Sequence, residues 1–152
     1  MSVLLDTNIV IRVLQASHVD STSAVEAIRK LRERKQELLI VPQNLYEFWV
    51  VATRPKLQNG LGMNVVDAAL LQQMCVDQFK LLRDERGIYD RWSEIVQQSQ
   101  TSGKNAHDAR LVAAMVKHSI PSLLTFNTQD FQRFSNIRTY SPADILAGKF
   151  PT

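Results

Sequence analysis

Three short apolar runs constrain this chain most: Val3-Leu4-Leu5, Leu38-Leu39-Ile40-Val41, and SLLTF at 122–126. None alternates apolar with polar residues as a strand with one wet face would, so each reads as a strand buried on both sides. Between them the apolar residues recur at helical spacing, over 9–15, 21–35, the segment starting at Pro42, 65–79, 88–98 and 105–118. KLLRD at 80–84 and IRTYS at 137–141 are further short strand candidates, with a terminal turn at PADILAG. Strands buried on both faces and separated by helices build a parallel sheet covered front and back. The expected class is α/β, with three α/β/α layers around a mainly parallel sheet of four to five strands.

A length of 152 residues suits one domain spanning 1–152, large enough to bury its own core. The single cysteine, Cys75, excludes an internal disulfide or a thiolate zinc cluster, so a reducing compartment is expected. No basic leader precedes an apolar stretch and no apolar run reaches membrane length, so a cytoplasmic protein with no membrane partner is expected. Eighteen Lys and Arg against fifteen Asp and Glu give a net charge of +3, compatible with a polyanionic partner but too mild to require one.

In parallel sheets ligands gather beyond the carboxyl ends of the strands. The first run ends on an acid, in DTN at 6–8. Glu47 falls in the early turns of the helix after the second strand, and Asp108 in the first turn of the helix leading to SLLTF. Asn127 and Asp130, in TFNTQDF, follow that strand. Taken one at a time, each has an ordinary explanation. Asp6 and Thr7 can cap the following helix, while NLYE at 44–47 and NAHD at 105–108 each place an acid three residues after a cap residue. Asp130 suits a turn, and Asn127 can satisfy its own loop.

Taken together, these acids pose a problem that capping leaves unsolved. Carboxylates converging at low dielectric repel one another, and helix dipoles of about half a charge offset only part of that. A divalent cation resolves the conflict. A donor set of oxygens alone suits Mg²⁺ or Mn²⁺ rather than zinc. Such an ion activates water and polarises phosphoryl oxygens, as phosphodiester cleavage requires.

LLDTN, Glu47, HDA at 107–109 and LLTFNTQDF, in that order and spacing, resemble the PIN domain across essentially the whole chain. With TRPKLQNGLG after the third helix, the chain is most similar to VapC-type toxins of bacterial toxin–antitoxin pairs. The resemblance implies a Mg²⁺- or Mn²⁺-dependent endoribonuclease, held inactive by a cognate antitoxin and forming a homodimer. It assigns Asp6, Glu47 and Asp108 as catalytic, metal-binding acids. Asn8, Thr125, Arg12, Arg54 and Arg110 are expected to meet the RNA substrate. The family commonly has an acid two residues after the strand threonine, where this chain has Asn127, so either Asn127 or Asp130 is expected as the fourth metal ligand.

Other features carry less. GK at 103–104 lacks the remainder of a phosphate loop, His18 and His118 read as solvated, and His107 as a surface or capping residue. RKLRERK at 29–35 reads as a solvated helix face, and Cys75, Trp49 and Trp92 as packing residues. Two other readings compete with the nuclease. An aspartyl-nucleophile phosphohydrolase would want an acid where Asn8 stands. A non-catalytic α/β nucleic-acid- or partner-binding module would use the acids to hold a structural cation.

Overall fold

The computed structural model describes residues 1–152. Five strands, β1 (Ser2–Leu5), β2 (Glu37–Ile40), β3 (Lys80–Leu81), β4 (Ser122–Leu124) and β5 (Arg138–Tyr140), form one sheet in the order β3-β2-β1-β4-β5. Every pairing is parallel; Leu4 stands opposite Leu39 on one side and Leu123 on the other.

Seven α-helices cover the sheet: α1 (Thr7–Leu14), α2 (Ser21–Glu33), α3 (Pro42–Thr53), α4 (Val65–Gln78), α5 (Ile88–Gln98), α6 (Asn105–Lys117) and α7 (Pro142–Leu146). Successive strand residues enter opposite cores, which is why the runs are continuously apolar. Val3, Leu5, Leu38, Ile40 and Leu124 join the core formed with α1–α4 and α7. Leu4, Leu39 and Leu123 join the core formed with α5 and α6. Trp92, Trp49 and Cys75 lie in or against these cores, as packing requires; burial pushes the Cys75 thiol up to about 12. No helix is long and apolar enough to cross a membrane.

Three local expectations are corrected. PADILAG is a helix rather than a turn, because Ser141 and Asp144 exchange hydrogen bonds as a capping box at the start of α7. NLYE is not a cap: α3 starts at Pro42, so Asn44 is already its third residue, and its Oδ1 accepts from Val41 N–H at 2.8 Å. NAHD is not one either, since Lys104 occupies the cap position of α6 and no side chain caps that end. Two charged features also differ from a solvated face: Arg32 lies over the Phe79 ring and Arg34 over the Phe150 ring.

The strand order places β1 at the centre. From β1 the chain builds outward to β2 and β3, then returns to the other side of β1 as β4. The reversal between β1 and β4 opens a crevice at their carboxyl ends, the usual ligand position in such sheets.

Candidate active site

Asp6 leaves β1 on the rim of this crevice. Its backbone N–H donates to Leu124 O of β4 at 2.9 Å, so the sheet ladder itself fixes where the residue stands. Its Oδ1 accepts from Thr7 N–H at 2.7 Å, the expected cap of α1. Its Oδ2 accepts from the Thr125 hydroxyl, also at 2.7 Å. Thr125 is fully buried, and its Oγ1 accepts in turn from Asn127 N–H at 3.0 Å and Asn8 Nδ2 at 3.3 Å. Asn8 Oδ1 accepts from Phe126 N–H at 3.3 Å. The residues expected to meet substrate as Asn8 and Thr125 thus have their polar groups turned toward Asp6 and the β4 exit, a placement suited to holding the carboxylate.

Asn44 ties the second strand's exit to the first. From a fully buried position its Nδ2 donates to Leu5 O at 2.9 Å and Thr7 Oγ1 at 3.2 Å. That bridge fixes the start of α3, and with it Glu47 in the second turn.

Glu47 is half-buried and accepts from Gln43 Nε2 at 2.7 Å. Asp108 is half-buried in the first turn of α6. Asp130 is exposed, in the 3₁₀ turn Thr128–Phe131 that follows β4. Exposed Asn127 precedes that turn, and its side chain does not cap it.

The charges of these groups act on one another. Burial pushes the Asp6 carboxyl up to about 6; the Thr125 and Thr7 hydrogen bonds oppose that, while Glu47 and Asp108 add to it. Asp108 is also raised to about 6, first by burial, then by Asp130 and Glu47, with Arg133 and His107 pulling the other way. The structure therefore brings Asp6, Glu47, Asp108 and Asp130 into one electrostatic neighbourhood. Such mutual repulsion is what a cation relieves, and every candidate donor is an oxygen, the chemistry of a Mg²⁺ or Mn²⁺ site. As placed, no three Asp, Glu, His or Cys side chains converge tightly enough to hold an ion.

Beside Glu47 lies an open groove of about 520 Å³, lined by Gln43, Tyr46, Val50, His107 and Arg110 among others. The arginines expected to meet substrate stand apart in behaviour. Arg110 reaches Gln43 Oε1 at 3.2 Å and Asp84 at 3.4 Å. Arg12 donates to Gln15 at 2.8 Å. Arg54 donates to Asn59 O at 3.0 Å, closing the 55–62 loop against the end of α3. Gly60 belongs there because a Cβ would meet Arg54 O at 1.9 Å. Sequence reasoning missed Gln43, Asn44 and Arg133. Asn44 had a signal, an amide placed just after a strand end and a proline, but it was read as a cap; Arg133 carried none.

The model of the PIN domain family matches residues 3–137. The chain belongs to the PIN domain family. Solved structures share the fold. A chain of the VapBC2 complex from Rickettsia felis bound to promoter DNA is 14% identical, with 93% of this chain and 98% of that one covered and a TM-score of 0.70. A chain of FitAcB from Neisseria gonorrhoeae is 16% identical, with coverages of 93% and 98% and a TM-score of 0.69. A chain of a toxin–antitoxin complex from Klebsiella pneumoniae is 22% identical, with coverages of 92% and 97% and a TM-score of 0.62. No individually curated protein matches the sequence. For a PIN domain, the rim bearing Asp6, Glu47 and Asp108 becomes the surface to explain.

Proposed function

We propose that this PIN domain is a Mg²⁺- or Mn²⁺-dependent endoribonuclease, the cytoplasmic toxin of a toxin–antitoxin pair. The single observation that carries the reading is that Asp6 at the exit of β1, Glu47 of α3 and Asp108 of α6 stand around the carboxyl-end crevice of a parallel sheet, where the charges of Glu47 and Asp108 add to the rise that burial gives the Asp6 carboxyl. Family membership and the toxin–antitoxin complexes that share the fold support it.

Asp6, Asp108 and Glu47 would hold the ion, with Asp130 favoured over the neutral Asn127 as the fourth ligand because its charge already acts on Asp108. When bound, the ion supplies Lewis acidity to the scissile phosphoryl group and an activated water. Thr125 and Thr7 N–H fix the direction of the Asp6 carboxylate. Burial of Asp6 keeps bulk water away from one side of the site. Arg133, exposed beside Asp108, and Arg12 are suited to contact RNA phosphates. Arg110 borders the groove, where it would meet the strand flanking the cut. The exposed apolar residues Tyr46 and Val50 of α3, with Val66, Leu70 and Met74 of α4, are where an antitoxin or a second copy would cover the surface.

Labelled total RNA incubated with the purified chain in Mn²⁺ or Mg²⁺ tests the reading. Discrete products that vanish with EDTA and in Asp108→Asn are expected. Intact RNA under the same conditions, with the protein folded and free of copurified antitoxin, would leave the binding module as the better account.

A further inference from the structure

One side chain at this rim lies outside the acid set and joins two of its members. Gln43, the second residue of α3, is buried with 6% of its surface exposed. Its Nε2 donates to Glu47 Oε1 at 2.7 Å and to His107 O at 2.8 Å. Its Oε1 accepts from Arg110 Nη1 at 3.2 Å. The orientation of the amide follows from its surroundings. A carboxylate oxygen and a carbonyl oxygen are both acceptors and demand the NH₂ end, while a guanidinium is only a donor and demands the oxygen. Flipping the amide would break all three bonds at once.

His107 O belongs to the peptide bond joining His107 to Asp108. The same NH₂ group therefore holds a side-chain oxygen of one acid and the backbone immediately before another, on two helices from opposite faces of the sheet. Arg110, one turn along α6 from His107, locks the amide from the other end, and its second nitrogen is steadied by Asp84 at 3.4 Å. Gln43 is the one hydrogen-bond partner of the Glu47 carboxylate.

Resting on the metal-dependent reading above, we propose that Gln43 is a positioning residue, its single amide fixing Glu47 directly and Asp108 through the preceding peptide bond. Outer partners that orient metal-ligating groups are worth about 10- to 100-fold in metal affinity or activity. A residue that merely glued α3 to α6 would lower stability and leave ion affinity alone.

The test measures Mn²⁺ affinity by calorimetry on the full chain, beside RNA cleavage across a Mn²⁺ series. Gln43→Met keeps the volume and removes every hydrogen bond. It is expected to weaken Mn²⁺ binding about tenfold or more, with cleavage recovering at high Mn²⁺. Arg110→Met should shift affinity in the same direction by less. In a Glu47→Gln background, Gln43→Met should change affinity less than in wild type, because only the route through Asp108 is left. Should Gln43→Met fail to fold, Gln43→Asn, too short to reach both acceptors, carries the same expectation. Wild-type affinity in the Gln43 variant, or an undiminished loss in the Glu47→Gln background, would overturn the inference. Failure of the wild-type chain both to bind Mn²⁺ and to cut RNA would instead overturn the ribonuclease reading.

Discussion

The β1/β4 side of the rim and its α3/α6 side carry the same kind of residue in opposite states. At Asp6 each carboxylate oxygen already has a donor, and the buried Thr125 hydroxyl links it to Asn8 and Asn127. At Asp108 burial and then two other acids, Asp130 and Glu47, raise the carboxyl, and the side chain is half-exposed. One half is anchored by the sheet ladder. The other is held through helix ends and one glutamine. The two sides therefore differ in what holds their acids: the exit of β4 for Asp6, a bridging amide for Glu47.

Removing an acid from either side should have the largest effect. Asp6→Asn or Asp108→Asn should lower RNA cleavage by roughly a thousandfold or more, since a catalytic ion supplies several kcal/mol of charge stabilisation. Gel analysis of labelled RNA checks this, and equal loss from both sides of the rim would show that they work as one.

Stability should separate the two sides. Because the folded Asp108 carboxyl is raised to about 6 from 3.8, the unfolded chain ionises first. Between about pH 4 and pH 6 the native state binds more protons, so stability contributed by this group falls as pH rises and stays lower above that window. Asp108→Asn should therefore melt higher than wild type at pH 7.5 without metal, and lose that advantage when Mn²⁺ is added. The Asp6 carboxyl, raised to about 6 as well, titrates with the same sign, so what sets the anchored side apart is its hydrogen bonding. Thr125→Val leaves Asn127 N–H and an Asp6 oxygen without their partner, and should destabilise the protein by about 1–3 kcal/mol in urea titrations. Thr125→Ser should restore most of it.

Much of this was legible in the sequence, for reasons that differ by residue. The strands announced themselves because both faces are buried, which forces runs such as Val3–Leu5 to be apolar throughout. Asp6 stood out only in company: alone it reads as the cap of α1, which it is, and the other acids expected at the same rim gave it a second reading. Glu47 and Asp108 were found by their position after a strand and before a strand, even though the caps proposed for them do not form. Gln43 was not legible, because an amide in the first turn of a helix looks the same in sequence whether it faces water or bridges two elements; Asn44 carries a signal, but one that reads equally as a cap. Arg54 illustrates the reverse: closeness in sequence to Glu47 suggested RNA contact, yet its guanidinium holds the 55–62 loop.

The smallest effects concern the cations around the rim. Arg12→Ala should weaken RNA binding evenly across sequences and lower the salt dependence by about one unit of slope, as loss of a single phosphate contact does. Arg54→Ala should leave that slope unchanged and instead loosen the loop, read as faster amide exchange over 55–63. Binding assays across a salt series distinguish the two.

In the proposed ribonuclease, Asp6 and Asp108 serve one metal ion from opposite sides of the rim. Titration of Mn²⁺ into wild type, Asp6→Asn and Asp108→Asn, followed by the loss of the free-ion resonance signal, tests it most directly. Saturable binding by the wild-type chain is expected, reduced by about an order of magnitude or more by either substitution alone. Binding by both variants as tight as wild type would contradict it.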